Sequence, residues 1–440
     1  MDNKLFYRLK DKKFEFNSQQ IKKGSYFIAL KGKRDGHLFI NDALKRGAKG
    51  LIINKKKSHY IQKRKKDIDL IYTKDTFRFF KNFALFKRKL YKNIKIALTG
   101  SVGKTTTKDF LFYLLSKFDL SYKNIESYNN ILGLIYTLSN LDLKSKFYIQ
   151  ELGTNNFGEI KELTNFLKPN IRIITKIGEA HLETFKNKEG VIKAKLEILE
   201  GNSFDFAILP EDLKEYIKNF YPSKLPKIYF FNEDKAILED FLDKNFNRIT
   251  KIKIFDKTIT VKSKILGKGF LTTLVIGAYL LYLLNLDLNI LEDITTFSPP
   301  PHRLNLKNYF IFGKKILIID DTYNANPTSF ENLASLLKDL KEKYNAYIIT
   351  VFGKMEELGE NSKKEHIKVN NLLKTFSKVF HYNIPYFNSY IDKTKLFNDL
   401  LKEIKNSTKE FIILGIKGSR SNQLEELINL FKEFEKKQNF

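Results

Sequence analysis

TGSVGKTTT, Thr99 to Thr107, lies between a basic-apolar run, KNIKIAL (Lys92 to Leu98), and KDFLFYLLSKF (Lys108 to Phe118). The first run reads as a buried strand, and the second has the apolar spacing of a helix. A glycine turn between strand and helix aims backbone N–H groups and the positive helix end at an anion. Lys104 then reaches the outer phosphates of a nucleotide, and the Thr105 hydroxyl can sit on Mg²⁺. Gly100, Ser101, Val102, Gly103 and Thr106 complete the phosphate cradle. The motif is shorter than G-x-x-x-x-G-K-[ST], because Leu98 stands where the first glycine of that pattern falls. A Gly-Ser turn with an incidental lysine is the plainer account, and the flanking strand and helix weigh against it.

At 440 residues the chain exceeds one core and suggests about three domains. It has no cysteine, which excludes disulfides, thiolate nucleophiles and cysteine metal sites. The start, MDNKLFYRLKDKKFEF, lacks the apolar core of a signal peptide. The longest uncharged apolar run, Phe270 to Leu284, is too short to span a bilayer and reads as a buried core helix. These features predict a soluble cytoplasmic protein. The net charge of +28 raises a nucleic-acid reading, but the excess is mostly lysine spread along the chain. The one dense basic block, Lys55 to Lys66, comes with no nucleic-acid module, so a solvated surface is the expectation, with a polyanionic substrate a second beneficiary.

Residues 1 to about 85 mix short strand-like runs (Tyr26 to Leu30, Gly50 to Ile53) with a helix-like stretch, Phe39 to Arg46, and predict a small α/β domain. Past the phosphate loop, SYNNILGLIYTL (Ser127 to Leu138) reads by itself as a turn before an apolar stretch. Glu151 ends a predicted strand, Phe147 to Gln150, where a carboxylate beside a phosphate loop is placed to hold Mg²⁺; an exposed strand-end Glu is the plain alternative. His181 sits in the loop after another strand, and a lone histidine is more often structural than a ligand. Lys195 shares a helical stripe with Val191, Ile198 and Leu199. Such a lysine ordinarily snorkels to water; if desolvated, its pKa falls and the neutral amine becomes available for chemistry. SPPPHRL, Ser298 to Leu304, marks a boundary, since three prolines cannot sit inside a helix. KKILIIDDTYNANPTSF then gives a buried strand ending in Asp320 and Asp321, groups suited to a ribose, a metal or the cap of the next helix. Strands at Tyr347 to Phe352, Lys378 to His381 and Glu410 to Leu414 alternate with helices and imply a second doubly wound unit.

TGSVGKTTT, ELGTNNFGEI, IGEAHLETF, EGVIKAKLEIL, PHRL, DDTYNANPTSF, FGKMEELGE and IKGSRS, in this order, resemble the Mur ligase family. They look most like the member that adds D-alanyl-D-alanine to a UDP-muramoyl tripeptide, and Phe16 to Ile53 looks like that member's UDP-substrate domain. The resemblance implies a three-domain α/β architecture: 1–90 for the UDP end of the substrate, 91–300 as a P-loop ATPase-like parallel-sheet domain, and 301–440 as a Rossmann-like ligase domain. It implies an ATP-dependent amide ligase of peptidoglycan precursor synthesis. By motif match, Lys104 and Thr105 serve phosphate and Mg²⁺, Glu151 and His181 hold metal, and Lys195 is the lysine that becomes carbamylated. Arg303, Asn324 and Asn326 match positions near the nucleotide, while Lys417, Ser419 and Arg420 match a substrate-facing block. The family's Asp-Ser-Arg is here Asn17, Ser18 and Gln19; Ile131 and Ile135 replace a polar residue and a proline; Asn156 and Phe157 replace His-Pro. These departures touch the acceptor more than the ATP chemistry. The expected partners are the UDP-muramoyl tripeptide and D-alanyl-D-alanine, with no nucleic acid, no membrane insertion and a monomeric chain. The rival readings are a Mur-type ligase with another acceptor, such as a folate or an earlier precursor, and a nucleic-acid-binding P-loop ATPase.

Overall fold

A computed structural model describes residues 3–61, 67–125, 128–178, 182–201, 204–220 and 226–438. The eighteen strands among these described residues are numbered in chain order. β1 (Phe14–Glu15), β2 (Tyr26–Ile28), β3 (Gly50–Asn54) and β4 (Asp69–Thr73) form a parallel sheet in that order. The helix Thr76–Leu90 follows, started by Asp75, whose carboxylate accepts from the Arg78 N–H. Phe80, Phe83 and Ala84 on this helix are buried in a core that runs on into the next sheet. Asn140 fastens the two sheets together: its Oδ1 accepts from Phe14 N at 2.8 Å, and its Nδ2 donates to Phe14 O at 3.1 Å.

The second sheet is wholly parallel in the order β10-β9-β8-β5-β7-β6. Its members are β5 (Ile94–Thr99), β6 (Ser121–Lys123), β7 (Phe147–Glu151), β8 (Ile171–Ile174), β9 (Phe206–Pro210) and β10 (Lys227–Phe231). β5 has β7 on one side and β8 on the other, so the chain order reverses there; such a reversal is where open α/β sheets bind ligands. Ile96, Ala97 and Leu98 are completely buried, as a strand covered on both faces requires. The apolar helix runs over Gly269–Leu283 as expected, and Thr273 Oγ1 meets Thr107 Oγ1 of the loop helix at 2.9 Å.

Two features depart from the sequence reading. β11 (Ile237–Leu242), β12 (Arg248–Ile254) and β13 (Lys257–Ser263) form a separate antiparallel sheet, pinned by the buried Arg248, which pairs with Asp240 and donates to Leu266 O. The last sheet, β14-β15-β18-β16-β17, is parallel except for β14, which runs antiparallel along the β15 edge. Its strands are β14 (Asn305–Ile311), β15 (Lys314–Asp321), β16 (Tyr347–Gly353), β17 (Lys378–Tyr382) and β18 (Phe411–Lys417). The residues after the proline boundary therefore build an edge strand before the buried strand begins. Lys55–Tyr60 of the basic block forms exposed helical turn, and 62–66 lie outside the described residues. No helix among the described residues is long and apolar enough to cross a membrane.

Candidate active site

The loop helix spans Lys104–Leu115, so it begins inside the glycine motif and not after it. Gly103 sits at its N-terminus with φ +85°, a conformation that a Cβ disfavours. At Gly100 (φ +152°) a Cβ would lie 2.0 Å from Thr175 Oγ1, so the turn closes only on glycine. Thr175 on the β8 side donates to Val102 O at 2.7 Å, and Ser101 N donates to Lys176 O at 2.8 Å. Lys104 Nζ folds back on Gly100 O at 2.8 Å. Burial pushes its ammonium below the usual range, with Glu151 and Glu357 acting against that and Arg303 adding to it.

Glu151, at the end of β7, is buried and held on both oxygens: Thr105 Oγ1 donates to Oε2 at 2.9 Å and Asn129 Nδ2 to Oε1 at 3.1 Å. Arg303 Nη2 donates to the same Thr105 hydroxyl at 3.2 Å, and its guanidinium lies 4.0 Å from the centre of the Tyr323 ring. A continuous bonded line, Asn129, Glu151, Thr105, Arg303, thus joins the phosphate-loop sheet to the segment leading into the last sheet. Asn129 precedes the helix Ile131–Asn140, capped by Asn130; the apolar stretch read as following a turn is itself this helix. Ile131 and Ile135 lie on that helix.

These groups line a cleft of about 420 Å³. Ser101 through Thr106, Glu151, Arg303, Asp321, Asn324, Asn326 and Lys417 all face it, as do Asn129, Tyr323 and Glu357, to which the sequence reading gave no role. Asp321 is paired with Lys417 Nζ at 2.5 Å, directly across the β15–β18 register, and Lys417 also donates to Asn324 O at 2.9 Å. Burial lowers the Lys417 pKa, and Asp321 opposes the fall. Asp320 faces His302 Nδ1 at 2.9 Å, so neither aspartate caps the following helix. That cap is Asn326, whose Oδ1 accepts from Ser329 N at 2.8 Å in a reciprocal capping box.

Lys195 does not snorkel. It lies in the last turn of its helix, Lys188–Leu196, with 1% of its surface exposed. Burial, then the charge of Lys104, lowers its pKa to about 7. Ser419 Oγ accepts from Glu356 N at 2.9 Å, and Arg420 pairs with Glu425 at 2.6 Å; neither residue lines the cleft. Asn17 caps a short turn by accepting from Gln19 N at 3.1 Å, and Asn156 Nδ2 donates to Glu159 at 2.9 Å. His181 lies outside the described residues. Among the described residues no three His, Asp or Glu converge on one point. The Thr105–Glu151 pair nevertheless suits Mg²⁺, which takes one or two protein oxygens and keeps much of its water.

A Gly-Lys-Thr turn leading from a central parallel strand into a helix, in a chain of several sheet units, defines the class: a multidomain α/β protein of the P-loop type. Residues 98–280 match the Mur ligase middle domain, and residues 302–438 match the Mur ligase glutamate ligase domain. The chain is 31% identical over 95% of its length to the UDP-N-acetylmuramoyl-tripeptide–D-alanyl-D-alanine ligase of Rickettsia prowazekii, covering 94% of that protein. It superposes with a TM-score of 0.81 on the MurF ligase of Thermotoga maritima in complex with ADP, at 24% identity, covering 98% of this chain and 99% of that one. A MurF crystal structure from Acinetobacter baumannii gives the same TM-score at 25% identity, covering 96% and 94%. The chain belongs to the Mur ligase family.

Proposed function

We propose that this chain is an ATP-dependent ligase that joins D-alanyl-D-alanine to UDP-N-acetylmuramoyl-tripeptide in the cytoplasm. The observation that carries the chemistry is the cleft itself: phosphate loop, Glu151, Arg303 and the Asp321–Lys417 pair around one space. The near full-length similarity to the Rickettsia enzyme carries the choice of substrates. Residues 1–90 bind the UDP end, 91–300 bind ATP, and 301–440 receive the amine. The γ-phosphoryl group passes to the terminal carboxylate of the tripeptide and ADP departs. The amine then attacks the acyl phosphate, forming the amide and releasing phosphate.

The loop N–H groups, Lys104 and Arg303 face the charge that develops on the phosphoryl oxygens, in a site where burial strengthens every charge. Thr105 and Glu151 hold Mg²⁺, with Asn129 orienting the carboxylate. Mg²⁺ supplies charge neutralisation when bound. Lys195, whose burial favours the neutral amine, would take up CO₂ as a carbamate with release of a proton, and that carbamate would supply a second, anionic metal ligand, to which the family motif adds His181. Asn324 and Asn326 face the nucleotide.

Phosphate release measured with a panel of UDP-muramoyl peptides and amines tests the assignment. Turnover is expected with tripeptide plus D-alanyl-D-alanine. Activity only with a dipeptide precursor and a single amino acid, or with a folate and glutamate, assigns the chain to another ligase of the family. ATPase stimulation by polynucleotide alone overturns the ligase reading.

A further inference from the structure

An arginine serves a transferring phosphoryl group best when its planar head is fixed before the reactants arrive. At Arg303 two contacts fix that head. Its Nη2 donates to Thr105 Oγ1 at 3.2 Å, and its guanidinium lies 4.0 Å from the centre of the Tyr323 ring. Both depend on the course of the backbone just before β14, and that course is unusual. His302 has φ +63° and Leu304 φ +54°, so two left-handed residues, neither of them glycine, stand on either side of Arg303. Such residues persist only where their surroundings over-determine them.

Leu304 is accommodated by Gly267, where an added Cβ would lie 2.5 Å from Leu304 Cδ1. Asn305 spans the turn, accepting from Arg303 N at 3.2 Å and donating to Pro299 O at 3.3 Å. His302 is held from the end of β15. Its carbonyl accepts from Tyr323 N at 3.0 Å, and its Nδ1–H donates to Asp320 Oδ2 at 2.9 Å. Asp320 is 1% exposed; Thr322 Oγ1 donates to its other oxygen at 2.8 Å, and Lys307 Nζ stands 3.4 Å from Oδ2. A buried carboxylate engaged on both oxygens is a fixed point, and the histidine comes to it. The two successive aspartates thus divide their work as strand alternation allows: Asp321 pairs with Lys417 at the cleft, and Asp320 turns to His302. Neither Asp320 nor His302 lines the cleft.

We propose, resting on the ligase reading, that Asp320 is a positioning residue for phosphoryl transfer: by holding His302 in its left-handed turn, it sets the Arg303 guanidinium at Thr105. His302 is the link through which it acts, and Arg303 is the group that meets the phosphoryl charge.

The test is a double-mutant cycle read by kcat for phosphate release. Arg303→Ala sets the ceiling, a fall of at least about 100-fold. Asp320→Asn, which keeps size and loses charge, lowers kcat by about tenfold, the lower end for a hydrogen bond to a charged group, and leaves the KM for D-alanyl-D-alanine within about twofold. In the Arg303→Ala background the same change alters kcat by less than about twofold, because the group it positions is gone. His302 has 28% of its side chain exposed and can be replaced without opening a core. His302→Ala keeps the left-handed turn and loses the donor, and it reproduces the Asp320→Asn loss. His302→Asn, which tolerates the turn and offers Nδ2 to Asp320, recovers at least about half of that loss on a logarithmic scale. An Asp320→Asn effect that adds in full to Arg303→Ala overturns this inference alone. So does a wild-type kcat in His302→Ala, an arm that decides the case even where the buried Asp320→Asn fails to fold. A wild-type chain that releases no phosphate with tripeptide and dipeptide overturns the ligase reading and this inference with it.

Discussion

Replacing Lys195 with methionine, which has a similar length and no charge, should change the pH dependence of stability in a calculable way. The side chain is 1% exposed, and burial lowers its pKa from 10.5 to about 7. Between those values the unfolded chain holds the lysine proton and the folded chain largely does not. Falling proton activity therefore disfavours the unfolded state, which still carries the proton, and stability rises. Each tenfold fall in proton activity across this window is worth about 1.4 kcal/mol once the folded amine is neutral, so the rise from pH 7 to pH 9 contributes about 2 kcal/mol. Urea unfolding of wild type and Lys195→Met at pH 7, 8 and 9, in CO₂-free buffer without Mg²⁺, reads the difference directly, because all other titrations are common to both proteins. The stability of wild type relative to the variant should improve by about 2 kcal/mol over that range. Parallel profiles would show that Lys195 keeps an ordinary, solvated ammonium and would remove the physical basis for a carbamate. With ¹³C-bicarbonate added, wild type and not the variant should show a carbamate carbonyl signal.

Lys104→Ala should leave circular dichroism unchanged and reduce phosphate release by at least about 10²–10³-fold, the range for losing one preorganised charge in a dry site; turnover within tenfold of wild type would remove the loop from the reaction. Asn129→Ala deletes the donor to Glu151 Oε1, so the Mg²⁺ concentration for half-maximal activity should rise by about tenfold while the UDP-peptide KM is unchanged. Gly100→Ala sets a Cβ 2.0 Å from Thr175 Oγ1 and should abolish nucleotide binding by calorimetry; retained affinity would show that the turn has another way to close. Polynucleotide binding should be weak and lost by moderate salt, and should not stimulate ATP hydrolysis, since the +28 charge is dispersed along the chain; tight binding with a steep salt slope would restore the nucleic-acid reading.

The sequence by itself determined what is set by near neighbours. Glycines, lysine and threonines between an apolar strand and a helix are the pattern of a phosphate turn, and their backbone demands are visible within nine residues, Thr99 to Thr107. The stripe of Val191, Lys195, Ile198 and Leu199 put the amine on an apolar face, and the unbroken apolar run announced the buried helix Gly269–Leu283. The depth of Lys195 was not so written, because a lysine on such a face is desolvated only if other elements cover its end. The β11–β13 sheet went unread although RITKIKI and KTITVKS alternate more and less buried positions, the period of a half-buried strand; only ILEDFL of β11 lacks that alternation. Above all, tertiary structure decided the pairings. Asn129 meets Glu151 across 22 residues, Lys417 meets Asp321 across 96, and Arg303 meets Thr105 across 198. Strand order and register bring these ends together, and neither is encoded in the local spacing of either partner. A hydrogen bond between distant residues is a property of the sheets that carry them.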